Sequence, residues 1–67
     1  MKISLKAARV NAGFSQESLA KQIGVSKSTI SRWEIGIIKV PDEELINICS
    51  ICGLEKEDII LQERKEK

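Results

Sequence analysis

The 67-residue sequence predicts a compact all-α bundle of five short helices. Apolar residues recur at spacings of three and four, as they do on one face of a helix. Ser, Asp and Gly stand where these stretches begin and end. No segment alternates apolar and polar residues for long enough to predict a sheet. A chain of this length builds one small domain, which we place at residues 1–61, with a charged tail at residues 62–67.

The start and stop signals set the bounds of the predicted helices. They span residues 3–12, 15–23, 26–35, 42–52 and 56–61. Ser15, Ser26 and Asp42 are the predicted N-caps, because their side-chain oxygens can accept from the free N–H groups of a first helical turn. Gly24, Gly36 and Gly53 follow predicted helix ends, where a left-handed residue is favoured.

The charge is unevenly distributed along the chain. The net charge is +1, but residues 1–40 carry seven bases against two acids, a net of +5. Residues 41–67 carry four bases against eight acids, a net of −4. Such an asymmetric molecule can present one face to phosphate, although ordinary surface variation is an equal alternative.

Several classes of protein are disfavoured by composition. No apolar run approaches the ~18 residues of a membrane helix, and the N-terminus lacks the apolar run of a signal peptide. We therefore expect a soluble cytoplasmic protein that does not bind membranes. The chain has no histidine, no phosphate-binding glycine loop and no metal-ligand cluster, so we expect no enzyme, cofactor, metal or small-molecule ligand.

The predicted third helix has one polar, partly basic face and one apolar face. At 100° per residue, Lys27, Ser28, Ser31 and Arg32 share the first face, and Ile30 and Trp33 lie opposite. Lys and Arg on such a face can donate to guanine O6 and N7, and hydroxyls can contact other base edges or phosphates. Taken alone, the helix also fits an ordinary amphipathic helix with a solvated outer side.

The turn before this helix favours the first interpretation. Two helices joined by a tight turn need a small residue on the inner side of the first, such as Ala20. They also need a residue that accepts a left-handed conformation, such as Gly24, and a branched apolar residue in the second, such as Ile30. Helices 2 and 3 are therefore predicted to form a helix-turn-helix, whose second helix lies in the major groove of DNA.

The segment from Gln16 to Gly36 resembles the lambdoid phage repressor and Cro superfamily, also called the Xre family. It fits the family pattern Q-x-x-L-A-x-x-x-G-V-S-x-x-x-I-S-x-W-E-x-G without a gap. The matching residues are Gln16, Leu19, Ala20, Gly24, Val25, Ser26, Ile30, Ser31, Trp33, Glu34 and Gly36. The resemblance extends back through Leu5 and Arg9 and forward to Leu61.

This resemblance implies a lambda-repressor-like fold and a sequence-specific transcriptional regulator that binds double-stranded DNA. It implies a repressor of phage or mobile-element type, encoded by a bacterium or phage, acting as a homodimer on a palindromic operator. Candidate dimer contacts are Ile46, Ile51 or Leu54.

The resemblance also implies roles for individual residues. Lys27, Ser28 and Arg32 would be the main base readers, with Thr29 and Ser31 on or beside the contact face. The residues expected at phosphate are Gln16, Ser26, which would also cap the recognition helix, and Lys39. Arg9 and Glu34 match positions that brace the first helix against the third. The alternative for that pair is a surface ion pair contributing ~0–1 kcal/mol.

The chain departs from the family pattern in a run of isoleucines. Ile35, Ile37 and Ile38 occupy a region where many relatives carry basic or amide residues, so fewer phosphate contacts and a weaker salt dependence are expected. We expect these side chains to tuck under Trp33 and the fourth helix. The alternative is a protein contact, which would make the chain a protein-interaction module or an antitoxin-type partner-binding regulator.

Cys49 and Cys52 form a C-x-x-C pair on the predicted fourth helix. They share one face with Leu45 and Ile48, and buried cysteine packs as a small hydrophobe. A closed zinc site needs four ligands. We therefore expect core packing, with a thiol sensor or a metal shared across a dimer as the alternative.

Overall fold

Four α-helices and two short strands form the part of the chain that the structure, a computed structural model, describes: residues 2–61. In chain order the elements are β1 (Ile3–Ser4), α1 (Leu5–Asn11), α2 (Gln16–Ile23), α3 (Lys27–Ile35), α4 (Asp42–Cys52), a 3-10 turn (Lys56–Asp58) and β2 (Ile59–Ile60). The predicted charged tail at residues 62–67 lies outside the described residues.

Helices α2 and α3 begin and end as the sequence predicts. The Ser15 hydroxyl accepts from the Ser18 N–H at 3.0 Å, and the Ser26 hydroxyl accepts from the Thr29 N–H at 3.2 Å. Both helices end at a glycine in the left-handed region, Gly24 with φ 81° and Gly36 with φ 86°. These signals are local, so a short stretch of sequence is sufficient to specify them.

The first helix begins at Leu5, not at Ile3 as predicted. Ser4 is its N-cap, and the Ser4 hydroxyl accepts from the Ala7 N–H at 3.1 Å. Serine is favoured at the N-cap over the helix interior, because its oxygen at the N-cap satisfies a free N–H of the first turn. Ile3 is left extended and joins β1.

The predicted fifth helix is wrong, and with it the prediction that no sheet forms. Residues 56–58 form a single 3-10 turn, and β2 then pairs with β1 in parallel, Ile3 opposite Ile59 and Ser4 opposite Ile60. β-branched isoleucine favours the extended backbone, and the pairing satisfies backbone groups of both strands. The Lys2 ammonium donates to the Glu57 carbonyl at 2.9 Å beside this pair.

Helix α4 has the predicted span but not the predicted cap. Pro41 occupies the N-cap position and Asp42 is the first helical residue, with no side-chain cap bond. Asp42, Glu43 and Glu44 still lie in the first turn, where acidic groups suit the helix dipole. Asp42 instead lies 3.7 Å from the Lys56 ammonium in an exposed ion pair.

One hydrophobic core joins the four helices and both strands. Its buried members are Leu5, Ala8, Leu19, Ala20, Ile30, Trp33, Val40, Leu45, Ile48, Cys49 and Ile59. Cys52 is half-buried against the same core, and both thiols are free, which confirms the core-packing prediction. Burial raises the pKa of the Cys49 thiol, with the Cys52 thiol as the next cause. Burial also raises the pKa of Cys52.

Candidate nucleic-acid interface

The turn between α2 and α3 holds the two helices in close contact. The carbonyl of buried Ala20 accepts from the Gly24 N–H at 2.8 Å and from the Val25 N–H at 2.9 Å. Ile30 and Trp33 on α3 are buried, which confirms the predicted apolar face. The opposite face of α3 is therefore the one turned away from the core.

An open depression of about 340 Å³ lies over that face. It is lined by Gln16 at the start of α2 and by Lys27, Ser28, Ser31 and Arg32 of α3. Lys27, Ser28 and Arg32 are exposed, and Gln16 and Ser31 are half-buried. Five of the eight predicted contact residues thus share one concave surface that offers two cations, two hydroxyls and an amide.

The other three predicted residues lie outside this lining. The Ser26 and Thr29 hydroxyls lie 2.9 Å apart, and the Ser26 hydroxyl caps α3 by accepting from the Thr29 N–H. Ser26 is exposed and Thr29 is half-buried. Lys39 is exposed in the connector between α3 and α4.

A buried ion pair anchors α3 to α1. The Arg9 guanidinium donates through Nε to Glu34 Oε2 at 2.6 Å and through Nη2 to Oε1 at 3.5 Å. Arg9 and Glu34 are only 7% and 8% exposed, so the alternative of a surface pair is wrong and the predicted brace is confirmed. Removing one partner of such a pair would leave a buried charge uncompensated.

The same network reaches the depression through Gln16. The Gln16 amide nitrogen donates to Glu34 Oε1 at 3.0 Å, and the Arg9 Nη1 group donates to the Phe14 carbonyl at 2.7 Å. Sequence reasoning assigned Glu34 to Arg9 alone and missed its bond to Gln16. The family pattern contains both residues, but their 18-residue separation gives no local signal of contact.

The isoleucine run is exposed, so the expectation that it tucks under Trp33 and α4 is wrong. Ile35, Ile37 and Ile38 are 51%, 52% and 42% exposed. The Ile37 N–H donates to the Arg32 carbonyl at 3.0 Å, which holds the backbone against the end of α3. Val40, in the connector between α3 and α4, is buried in the core in place of these isoleucines.

None of the helices within residues 2–61 is long and apolar enough to cross a membrane. The same residues contain no group of three or more His, Cys, Asp or Glu side chains able to hold a metal ion.

Comparison with known families identifies the domain. The family model described as Helix-turn-helix matches residues 5–59, from the first residue of α1 to the first residue of β2. No curated protein matches the chain, and no solved structure matches it. Because the family match covers most of the sequence and all four helices, the chain belongs to the helix-turn-helix family of Cro/C1, Xre-like DNA-binding regulators.

Proposed function

We propose that this regulator binds double-stranded DNA sequence-specifically, with α3 in the major groove and without enzymatic activity. The observation that supports this most is the depression over α3. It brings Gln16 of α2 together with two cations and two hydroxyls of α3, over the face of α3 that does not pack into the core. A helix of this kind fits the major groove, and its neighbours fit the flanking phosphates.

The side chains of this surface divide into two proposed groups. Lys27 and Arg32 donate to guanine O6 and N7, while Ser28 and Ser31 contact neighbouring base edges. Thr29 supports them from the α3 cap. Phosphate contacts come from Ser26 and Lys39 around this centre, which set the register of the protein on the duplex.

We further propose a repressor that binds as a homodimer to a palindromic site. Two copies then place their α3 helices in successive major grooves, about 34 Å apart. Among the three candidate dimer contacts, Ile46 is exposed, whereas Ile51 and Leu54 pack partly against the core. The proposed setting is the cytoplasm of a bacterium, with the gene carried by the bacterium or by a phage.

Selection of binding sites from a random double-stranded library tests this function. We expect a palindromic consensus, bound more weakly as salt rises. With Lys39 as the cationic phosphate contact, the logarithm of affinity should fall with the logarithm of salt by about 1 per protomer. Failure to enrich any sequence at low salt would contradict the proposal.

A second candidate function is partner binding by the isoleucine cluster, defined as Ile35, Ile37 and Ile38. Its exposure favours this function, because a contiguous apolar patch often marks an interface. An antitoxin-type regulator would use such a patch to bind its cognate protein. Replacing Ile37 and Ile38 by serine should then abolish co-purification of that protein while leaving DNA affinity unchanged.

Val10→Ser is the matched control, because Val10 is also an exposed β-branched apolar residue but lies on α1. Equal partner retention by the cluster variant and the control would exclude the cluster as the docking surface.

A further inference from the structure

We propose that Glu34 is a positioning residue that orients the Gln16 amide to read the edge of an adenine in the major groove. This inference rests on the proposed function, since it assigns one operator base to one side chain. It also changes the expected role of Gln16 from a phosphate contact to a base contact.

The orientation of the Gln16 amide follows from its partner. Gln16 Nε2 lies 3.0 Å from Glu34 Oε1. An ionised carboxylate only accepts hydrogen bonds, so the amide nitrogen faces it and the amide oxygen faces away. The reverse orientation would bring two acceptor oxygens together.

Glu34 is itself held in place. Its Oε2 accepts from Arg9 Nε at 2.6 Å, and the residue is 8% exposed. Arg9 is in turn tied to the Phe14 carbonyl at 2.7 Å, two residues before Gln16. The network thus fixes both the carboxylate that Gln16 meets and the backbone from which Gln16 extends.

The outward edge of Gln16 then carries a defined pair of groups. Donation through the N–H that points away from the amide oxygen keeps this oxygen clear of the carboxylate. It leaves the oxygen and the second N–H side by side on the outward edge. Adenine presents the complementary pair in the major groove, an N6 donor beside the N7 acceptor. A phosphate presents acceptors only and would use half of this edge.

The oxygen of Gln16 adds a hydrogen-bond acceptor beside the two cations of the depression. Gln16 lines the same depression as Lys27 and Arg32, which can only donate. The two cations suit guanine, and they cannot accept from the amino group of adenine. The Gln16 oxygen supplies that acceptor at the edge of the depression, alongside the more adaptable serine hydroxyls.

The isosteric variant Glu34→Gln provides a sharp test. Its amide oxygen can still accept from Arg9 Nε, the shorter of the two Arg9 contacts at 2.6 Å. That choice turns the amide nitrogen toward Gln16 and gives up the longer contact with Arg9 Nη2 at 3.5 Å. Gln16 must then present its oxygen inward and its NH₂ group outward. The outward edge becomes a donor edge, which suits the two acceptors of guanine.

The experiment selects operators from a random duplex library with four proteins: the unmodified chain, E34Q, Gln16→Ala and Gln22→Ala. Gln22 is an exposed glutamine on the same helix and serves as the matched control. We expect E34Q to change one adenine position of the consensus to guanine. Gln16→Ala should lose base preference at that position on the order of tenfold, and Gln22→Ala should keep the full consensus.

Replacing that adenine by 7-deazaadenine, which lacks the N7 acceptor, tests the contact without relying on the folding of E34Q. The unmodified protein should bind the modified operator on the order of tenfold more weakly. Gln16→Ala should bind both operators equally, because it has no contact left to lose.

Three results would overturn the inference. The first is an unchanged consensus with E34Q bound uniformly more weakly, which would leave Glu34 as a structural brace. The second is a uniform loss for Gln16→Ala, which would make Gln16 a phosphate contact. The third is the absence of any consensus for the unmodified chain, which would remove the proposed function as well and so is distinguishable from the first two.

Discussion

Helices α3 and α4 are built by the same rules but expose opposite chemistry. Each buries one apolar stripe in the core and ends at a left-handed glycine. The outer face of α3 carries Lys27 and Arg32, whereas the first turn of α4 carries three acids, Asp42, Glu43 and Glu44. In both helices the amphipathic pattern specifies which face packs into the core. Outward charge and the neighbouring Gln16 distinguish the helix that we propose for DNA.

The two helices also differ in the ion pairs that hold them. The Arg9–Glu34 pair of α3 is buried, whereas the Asp42–Lys56 pair at the start of α4 is exposed and 3.7 Å long. The α3 pair connects to the proposed interface through Gln16. Precise placement of α3 is needed for base reading, and a fixed network of this kind provides it.

Arg9→Met should have the strongest effect of all, a loss of stability. Removing one partner of a buried pair leaves the Glu34 carboxylate uncompensated, so the free energy of unfolding should fall by about 3–5 kcal/mol. Asp42→Asn, which breaks the exposed pair, should cost only ~0–1 kcal/mol. Urea unfolding followed by circular dichroism measures both. Equal losses of unfolding free energy for the two variants would contradict the proposed difference between the buried and the exposed ion pair.

The next effect is on DNA affinity. Arg32→Ala and Lys27→Ala should each weaken binding to the selected operator by about 1–3 kcal/mol, because each removes a proposed contact with a base edge. Their stability should change by less than about 0.5 kcal/mol, since both side chains are exposed. Glu43→Ala on α4 is the matched control and should not weaken binding. Unchanged operator affinity in both α3 variants would show that the face of α3 is misassigned.

A smaller effect is expected from Lys39→Ala. A phosphate contact carries no base information, so affinity should fall evenly across operators and the salt slope should decrease by about 1. Binding titrations at several salt concentrations, compared with Lys6→Ala on α1, measure this. A change in base preference would instead place Lys39 at a base edge.

The smallest effect concerns the cysteines of α4. Burial raises the pKa of both thiols in the folded state. Their stabilising contribution is therefore full below the ordinary thiol pKa of 9.0 and is lost as the pH rises through the raised folded value. The difference in unfolding free energy between the unmodified protein and Cys49→Ala should shrink across this alkaline range. A difference that grows with pH would contradict the sign of the shift.

Sequence alone could predict the helix-turn-helix, because its signals are local. Ser15 and Ser26 cap their own helices, and Gly24 follows directly from α2. The β1–β2 pairing could not be predicted in this way, since it joins residues 56 apart and each strand has only two residues. The short apolar stretch around Ile59 fitted a helix equally well, and only the distant partner strand decided between the two.

The sequence predicted the residues of the candidate site more completely than the hydrogen bonds between them. The polar face of α3 follows from helical periodicity, and five predicted contact residues line one depression. The bond from Gln16 to Glu34 depends on how α2 and α3 pack together, which no local pattern specifies. The exposure of Ile37 and Ile38 also depends on tertiary packing. In the connector between α3 and α4, the side chain buried in the core is that of Val40.

Mapping of amide chemical shifts during titration with the selected operator duplex tests whether the depression over α3 is the DNA-binding surface. We expect the largest changes on the residues lining the depression, Gln16, Lys27, Ser28, Ser31 and Arg32. The acidic residues Asp42 and Glu43 at the start of α4 should stay unchanged. The largest changes on α4 or on the isoleucine cluster, with α3 unaffected, would contradict this assignment of the surface.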